Sequence, residues 1–421
     1  MFQLMLKDRV CAEFDLVRGI EVKMENLRVS DKLPIGCTEK NLMRWLDRRN
    51  AAKHRQHLSA YLQKIGCRDI IGFLELTHGI SLNDCFWVRS SKEPDIDWNT
   101  VSPYRNKYSE IIQRLAFLGA GLYGEQFTST SPEFGTSGNF DKCWVRENNE
   151  IFMIKRGSDV GSNAGLEPYG EVLASQVFSA MKAGIPYKLV KYHGQVASKC
   201  KLFNTEDRSF VPYGNLGLPM DLEMMLKYYD GFKSDIFRRI LICDALTLNT
   251  DRHAGNHGVF YNSETLAVTS PAVGYDYNLS MMPYMTRDDF ALLNYKYYGY
   301  IPKLGIDFIT VARYVMTPEI RKDLINLKGI TLELPWYTDE FPKERAEWLS
   351  TIVNQQIENV LSEKDPVAPT LNISDMSNCM KYRIKFELFD DDSWLKEVPR
   401  LMEIFNISHM SELEQEIGKL L

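Results

Sequence analysis

Hydrophobic residues recur at helical spacing in several stretches of this chain of 421 residues. Two such patterns, Glu39–Asn50 and His54–Ile65, lie near its start. A third covers Glu167–Gly184, where a proline follows the first residue and the glycine is a typical stop signal. From Asp221 onwards the patterns are mostly helical and include the buried-looking helix Ile236–Leu248. Helices are therefore expected to dominate the second half of the chain.

Short apolar or alternating runs between these helices predict β-strands. Cys143–Arg146 and Ile151–Arg156 flank four polar residues, a pattern typical of a β-hairpin. The other predicted strands are 189–192, 198–203 and 258–261, and a further strand-like segment ends in 274–278. Together with the helices, these strands predict an α+β fold.

Composition divides the chain into three parts. Residues 1–125 are mixed and carry no motif with a recognisable role, whereas residues 126–365 carry all the candidate chemistry. The linker Ser362–Pro369 leads to a tail at 370–421. This tail is predicted to form one strand, Lys381–Leu388, followed by one or two helices within 394–420.

Composition and charge narrow the functional classes. Hydrophobic residues make up 44% and charged residues 25%, as in soluble globular proteins. The net charge of −6 disfavours direct binding of nucleic acid by bulk phosphate attraction. No apolar stretch approaches the roughly 20 residues of a membrane helix. The first apolar run is cut short by Lys7 and Asp8, so no secretory signal is expected. We therefore expect a cytoplasmic location.

Two other features receive structural interpretations. The eight cysteines are scattered singly, which favours reduced thiols, and Cys243 in an apolar run is interpreted as a core residue. The basic run Arg44–His57 is interpreted as a solvated helix face because Trp45 and Leu46 provide only a narrow apolar stripe.

The strongest chemical signal is the segment Thr250–Asn256, which follows a predicted helix and precedes a predicted strand. Within it, Asp251 and Asn256 are five residues apart, and Asp276 follows twenty residues later. Protein kinases use an Asp that orients the incoming hydroxyl, an Asn five positions on and a metal-binding Asp downstream. Carboxylate and amide oxygens are also the ligands that Mg²⁺ prefers. The spacing therefore predicts a phosphoryl-transfer site that binds ATP and Mg²⁺.

Upstream residues complete this arrangement. Lys155, on the second strand of the predicted hairpin, is the candidate cation for the phosphates, and Glu171 on the next helix is its candidate partner. Two alternatives stay open: Lys142 as the cation, and Glu167 as the acid. The loop before the hairpin is rich in small residues with accessible N–H groups, namely Thr136, Ser137 and Gly138.

Other interpretations of these residues are structural or belong to a different chemistry. Asp251 and Asn256 in a turn also suit loop shaping. His253 is interpreted as a scaffold residue rather than as a proton carrier. His253 and His257, four residues apart, would suit a metal-dependent phosphohydrolase if they shared a helical face. A further alternative is a non-catalytic binding protein with a kinase fold.

The segment Asp251-Arg-His253-Ala-Gly-Asn256 resembles the Asp-x-His-x-x-Asn catalytic loop of the HipA-like serine/threonine kinases of toxin–antitoxin systems. Tyr275-Asp276-Tyr277 resembles the metal-binding segment of that family, and the resemblance covers roughly residues 130–360. It implies a two-lobed, protein-kinase-like fold, with a sheet-containing lobe at about 126–205 and a helical lobe at about 206–365.

The resemblance also implies roles for individual residues. Asp251 would be the catalytic base within a motif that includes His253, and Lys155, held by Glu171, would contact the ATP phosphates. Asn256 and Asp276 would hold Mg²⁺. The loop Thr136-Ser137-Gly138 would cover the phosphates, and Ser137 is the candidate for an inhibitory phosphorylation. The implied partners are a protein substrate and an antitoxin or DNA-binding protein.

Overall fold

A computed structural model describes residues 1–50, 56–65, 67–119, 130–138, 140–159, 164–291 and 300–371. The strand and helices expected after residue 380 lie outside these ranges, as does part of the Gly- and Ser-rich stretch before the hairpin. Within the described ranges, no helix is both long enough and apolar enough to cross a membrane.

The described residues among the first 118 form a folded unit with its own sheet and apolar core. The strands are β1 Phe2–Leu6, β2 Arg9–Val17, β3 Lys23–Val29 and β4 Phe86–Ser90. They pair antiparallel in the order β3-β2-β1-β4. The helices are α1 Leu42–Arg49, α2 Gln56–Lys64, α3 Ile70–Thr77, α4 Trp98–Val101 and α5 Glu110–Leu118. Hydrophobic spacing predicts α1 and α2 but not this sheet.

A second four-stranded antiparallel sheet follows and carries the candidate lysine. Its strands are β5 Lys142–Glu147, β6 Glu150–Arg156, β7 Lys188–Tyr192 and β8 Gln195–Lys201, in the order β5-β6-β8-β7. The predicted hairpin is therefore confirmed, with Asn148 and Asn149 both left-handed in its two-residue turn. Helix α6, Glu167–Ala180, packs against β8.

The rest of the described chain is mainly helical. A small sheet contains β9 Arg208–Pro212, β10 Gly258–Asn262 and β11 Val268–Pro271, in the order β11-β10-β9. The helices are α7 Leu222–Asp230, α8 Ile236–Thr247, α9 Arg287–Ala291, α10 Phe308–Tyr314, α11 Pro318–Asn326 and α12 Lys343–Leu361. Helices α8, α10 and α12 pack together in the largest apolar core, which contains the fully buried Cys243.

Two predicted boundaries are wrong. Helix α6 ends at Ala180 and not at Gly184, because Lys182 adopts a left-handed backbone (φ 54°) that a helix cannot continue. The strand expected to reach Gly274–Asn278 ends at Pro271. Beyond it, Gly274 leaves the ladder and forms an isolated parallel bridge with Gly184.

The interpretation of Arg44–His57 as a solvated helix face is wrong at Arg49, and residues 51–55 of this run lie outside the described ranges. Arg49 is only 7% exposed: it donates to Asp84 Oδ1 at 2.6 Å and stacks over the Trp45 ring. Such a side chain is held by its carboxylate partner and by its packing, and it is not free to bind phosphate.

The first unit docks on the segment that joins the two sheets of the remaining chain. Arg105 and Trp98 both contact the Glu206 carboxylate, and Phe210 N donates to Asn83 O at 2.7 Å. These contacts place the N-terminal unit beside the connection that leads from β8 to β9.

Candidate active site

Lys155 lies between two carboxylates that are distant in sequence. Its Nζ donates to Glu171 Oε1 at 2.6 Å and to Asp276 Oδ1 at 2.7 Å. Its side chain is 4% exposed, that of Glu171 is fully buried, and that of Asp276 is 29% exposed. The geometry therefore leaves Asp276 as the member of the three that faces solvent.

Glu171 holds three elements together. It is on α6, accepts from Lys155 on β6, and also accepts from the Ser198 hydroxyl on β8. The same oxygen that binds Lys155 accepts from the Tyr277 backbone N–H at 3.1 Å. A fully buried carboxylate is stable only when it is paired and hydrogen-bonded in this way. Glu171 therefore fixes both the lysine and the backbone beside Asp276.

The charges of this group reinforce one another. Burial works to lower the pKa of Lys155, but Asp276 and Glu171 outweigh it, and the net pKa is raised. Burial works to raise the pKa of Asp276, yet the charges of Lys155 and Lys142 hold it at about 2. At neutral pH the site thus presents an ammonium group and an ionised carboxylate.

The backbone at Asp276 is left-handed, with φ of 58°. This conformation is uncommon for residues other than glycine, although aspartate adopts it more readily than most. The Asp276 N–H donates to the Tyr187 hydroxyl at 3.2 Å, and Tyr277 is buried against Gly184. A Cβ on Gly184 would lie 1.9 Å from the Tyr277 hydroxyl oxygen, so glycine is required for this approach.

The segment from Asp251 to Asn256 folds into a compact turn. Asn256 Nδ2 donates to the Asp251 carbonyl at 3.1 Å, and this contact does not use the amide oxygen. His253 Nδ1 accepts from Gly255 N at 2.9 Å, while its Nε2 is 3.9 Å from Asp251 Oδ2. His253 thus shapes the turn, and its role in catalysis stays a prediction.

Arg252 joins this turn to the Asp276 segment, a role that the sequence analysis missed. Its Nη1 donates to the Asn256 carbonyl at 2.6 Å and to the Tyr275 carbonyl at 2.8 Å. Its other nitrogens bind both carboxylate oxygens of Asp244 at 2.9 and 3.0 Å. One buried guanidinium therefore holds Asn256 together with Tyr275, the residue before Asp276. The available signal was Asp244 itself, a charge inside an apolar run.

The two candidate lysines lie directly opposite each other on β5 and β6. Opposed residues of an antiparallel pair share a face, so both ammonium groups are on the site side of the sheet. Lys142 Nζ donates to the Ser137 carbonyl at 2.7 Å and so holds the small-residue loop, whereas Lys155 contacts the carboxylates. The structure separates their positions and favours Lys155 as the central cation.

The loop residues Thr136, Ser137 and Gly138 lie beside this pair of strands. The Thr136 hydroxyl donates to the Pro132 carbonyl and accepts from Trp144 Nε1 at 2.7 Å, so it supports the loop itself. Ser137 and Gly138 are exposed. Gly138 has φ of 94°, and a Cβ there would lie 2.4 Å from Lys142 Nζ. Backbone groups of this loop are therefore able to approach a ligand closely.

Glu167 is not the partner of Lys155. Its carboxylate accepts from the Ser158 hydroxyl, the Ser158 N–H and the Tyr284 hydroxyl. It therefore ties the chain leaving β6 to the start of α6. The alternative that made Glu167 the acid of the lysine pair is not supported.

The histidine pair does not form a metal site. Residues 253–257 are not helical, and His257 is buried, sharing a hydrogen bond of 2.8 Å with Tyr229 while packing against Phe237. Within the ranges that the structure describes, no group of three or more His, Cys, Asp and Glu side chains is placed to hold a metal ion. The structure therefore gives no support to a hydrolase based on these histidines.

We expect the buried His257 to lower the free energy of unfolding as the pH falls into the mildly acidic range. Burial, assisted by the charges of Arg252 and His253, lowers its pKa to about 3. An unfolded histidine titrates at about pH 6.5, so the unfolded chain binds the proton first, and stability falls from there towards about pH 3. Between pH 7 and 5 this group alone should remove about 2 kcal/mol of unfolding free energy. Urea unfolding at both pH values, with His257→Gln as the non-titrating variant, tests this; equal pH dependence in both proteins would contradict it.

The oxygen donors of the site suit a magnesium ion. Asp276 offers the carboxylate oxygen that Lys155 does not contact, and Asn256 offers an amide oxygen on the adjoining turn. Mg²⁺ typically uses one or two such protein ligands and completes its octahedron with water and phosphate. The residues present therefore fit this ion.

Comparison with known proteins gives distant similarities to solved structures. No protein-family model and no curated protein matches the chain. The structure is similar to a Helicobacter pylori proinflammatory kinase, CtkA, with a TM-score of 0.41, 18% identity, and 52% of this chain and 92% of that chain covered. It is also similar to a structure of the Shewanella oneidensis MR-1 toxin–antitoxin system HipA, HipB and its operator DNA. There the TM-score is 0.48 and the identity 10%, with 86% of this chain and 97% of that chain covered.

The second of these structures contains HipA, the protein after which the HipA-like kinases are named. This is the family that the Asp251–Asn256 motif resembles in sequence. At these identities and TM-scores, the likeness assigns no fold, activity or site residue to this chain.

Proposed function

We propose that this protein is a HipA-like serine/threonine protein kinase that transfers the γ-phosphoryl group of ATP to a protein hydroxyl. The observation that carries the proposal is the contact of one buried ammonium group, Lys155, with both Glu171 and Asp276. A lysine on a strand, held by a helix glutamate beside a metal-binding aspartate, is the arrangement that protein kinases require for ATP. Arg252 supports it by holding the Asn256 turn against the same segment.

Each residue has a separate part in this proposal. Lys155 binds the phosphates, and Glu171 keeps the lysine in place. Asp251 orients the acceptor hydroxyl and takes its proton as the hydroxyl oxygen attacks the γ-phosphorus. The bond from the γ-phosphorus to the bridging oxygen breaks, and its electron pair leaves on ADP. Asn256 and Asp276 would hold the Mg²⁺ ion, which neutralises phosphate charge.

The loop Thr136–Gly138 is proposed to cover the phosphates with its backbone N–H groups. Lys142 holds this loop through a hydrogen bond to the Ser137 carbonyl. Because the Ser137 side chain is exposed, it is accessible to the inhibitory phosphorylation that the family resemblance implies.

The proposal also includes a DNA-binding antitoxin partner. The Shewanella oneidensis structure contains HipA together with HipB and operator DNA. We assign DNA contact to the partner because the net charge of this chain is −6. Tight binding of duplex DNA by the purified chain alone, at physiological salt, would contradict that division of roles.

The test of the proposed activity is a comparison of wild type with Asp251→Asn. Cell extract is incubated with ATP, Mg²⁺ and each protein, and phosphorylated Ser and Thr residues are quantified by mass spectrometry. The asparagine cannot accept the proton, so the transfer rate should fall by about 10²- to 10⁴-fold. Asp95→Asn, at an exposed position of the N-terminal unit, serves as the matched control and should retain the wild-type rate.

Other outcomes separate the alternatives. ATP binding without transfer to any molecule in the extract would indicate a non-catalytic protein with a kinase fold. Phosphate appearing only on small molecules or lipids would retain the phosphate site but reject a protein acceptor. Equal phosphorylation by wild type and Asp251→Asn would reject Asp251 as the base.

A further inference from the structure

The Asp251 carboxylate is already in contact with a cation from a distant part of the chain. Lys303 Nζ forms an ion pair with Asp251 Oδ1. The Asp251 side chain is 19% exposed and that of Lys303 is 56% exposed. No sequence motif pointed to Lys303, which is 52 residues beyond Asp251. The contact therefore adds a residue to the candidate active site.

A short anchored turn presents this lysine. Gly305 N donates to the Pro302 carbonyl at 2.9 Å, which closes a turn with Lys303 at its second position. Pro302 is buried, Leu304 packs against the main core, and Gly305 has a left-handed φ of 73°. The turn is thus fixed on both sides of Lys303, while the lysine side chain itself extends into solvent towards Asp251.

The other cations of the site have different partners. Lys155 binds Glu171 and Asp276, and Arg252 binds Asp244 and two backbone carbonyls. Lys142 contacts the Ser137 carbonyl. Among the residues that the structure describes, Lys303 is the lysine that pairs with Asp251, the residue proposed to orient the acceptor hydroxyl.

We propose, on the basis of the proposed kinase activity, that Lys303 is a further catalytic residue that contacts the γ-phosphoryl group during transfer. A general base lies within about 3 Å of the hydroxyl oxygen, which in turn lies about 3–3.5 Å from the phosphorus it attacks. An ammonium group on the Asp251 carboxylate is consequently within roughly 10 Å of the phosphorus. Its exposed, flexible stem allows it to move towards the phosphoryl oxygens.

The role of Lys303 follows from the charge changes of the step. The hydroxyl proton passes to Asp251, the new oxygen–phosphorus bond forms, and the bond to the ADP oxygen breaks with its electron pair. Asp251 loses its negative charge as it takes the proton, which weakens its hold on Lys303. The transferred group meanwhile carries charge on its three equatorial oxygens, which a nearby cation stabilises.

Lys303→Met and Lys303→Arg test this assignment. Calorimetry would measure the binding of Mg²⁺ with ADP and of Mg²⁺ with a non-hydrolysable ATP analogue, since only the analogue has the γ-phosphate. We expect Lys303→Met to weaken the analogue at least several-fold, to leave ADP unchanged and to slow transfer by about 10²-fold. Lys303→Arg keeps the charge and should recover part of the rate.

Lys328→Met is the matched control, because Lys328 is also exposed but pairs with Glu358. Equal weakening of both nucleotides would show a structural effect and overturn the proposal. A transfer rate in Lys303→Met that equals or exceeds that of wild type would also overturn it, since Lys303 would then merely occupy Asp251. If wild type itself neither binds ATP nor transfers phosphate, the proposed kinase activity fails first and the role of Lys303 fails with it.

Discussion

Replacement of Asp276 with asparagine should reduce phosphoryl transfer by at least about 10²-fold while the protein stays folded. The amide keeps the size of the carboxylate but removes its negative charge. That charge pairs with the Lys155 ammonium group and suits a magnesium ligand. The free energy of unfolding should fall, because the folded state favours the ionised Asp276 carboxylate, but Glu171 continues to pair with Lys155 and keeps the protein folded. The transfer rate and the thermal unfolding midpoint, measured on the same preparations, test both parts.

The dependence of nucleotide binding on magnesium gives a more specific measurement for the same variant. In wild type, ATP should bind more tightly as Mg²⁺ is added, and in Asp276→Asn this gain should largely disappear. Asp230→Asn is the matched control, since Asp230 pairs with Arg238 at the surface. A full magnesium-dependent gain in Asp276→Asn would mean that the ion is held elsewhere, and the proposed metal role of Asp276 would be wrong.

Replacement of Arg252 with methionine should lower the unfolding free energy by about 3–5 kcal/mol. The substitution leaves Asp244 as a buried carboxylate without its bidentate partner, and it leaves two backbone carbonyls without their donor. Lysine should replace Arg252 poorly because it lacks the planar fork that binds both oxygens. Urea unfolding of Arg252→Met and Arg252→Lys measures the effect.

Arg238→Met provides the comparison for the same type of pair at the surface. Arg238 also binds both oxygens of one carboxylate, Asp230, which is 45% exposed, so the loss should be no more than about 1 kcal/mol. Similar losses for Arg238→Met and Arg252→Met would contradict the importance given to the buried pair.

A double variant separates stability from the positioning of the site. Changing Asp244 to leucine together with Arg252→Met removes both buried charges and should restore part of the lost stability. It does not restore the link between the Asn256 turn and the Asp276 segment. We therefore expect the double variant to be more stable than Arg252→Met yet equally deficient in transfer. Recovery of transfer along with stability would show that Arg252 contributes only to folding.

Local spacing was sufficient to predict several elements of the site. The hairpin that carries Lys155 is confirmed, because alternating apolar residues on both sides of a polar turn have few other stable arrangements. The offset between Asp251 and Asn256 likewise reflects one turn, in which the asparagine reaches back to the aspartate carbonyl. Such features depend on residues a few positions apart.

The choice between Glu167 and Glu171 could not be made in this way. The two acids are four residues apart on one helix, so they share a face, and both are buried. Only the placement of the helix against the sheet decides that Glu171 meets Lys155 while Glu167 meets Ser158 and Tyr284.

The N-terminal sheet was missed for a related reason. Its edge strand β3 is mostly exposed and shows no clear alternation of apolar residues. It is a strand because β2 pairs with it, and β1 pairs in turn with the distant β4. Pairing between segments so far apart in sequence is not visible in a window of a few residues.

The sequence by itself determined the order of the candidate groups, the loop that carries Asp251 and Asn256, and the resemblance to HipA-like kinases. The tertiary structure decided which charges meet: Lys155 with Asp276, Arg252 with Asp244, and Lys303 with Asp251. Spacing along the chain governs local turns and helix faces. The pairing of charges depends on the distances between elements and on their burial. Those distances and that burial are set only when the chain has folded.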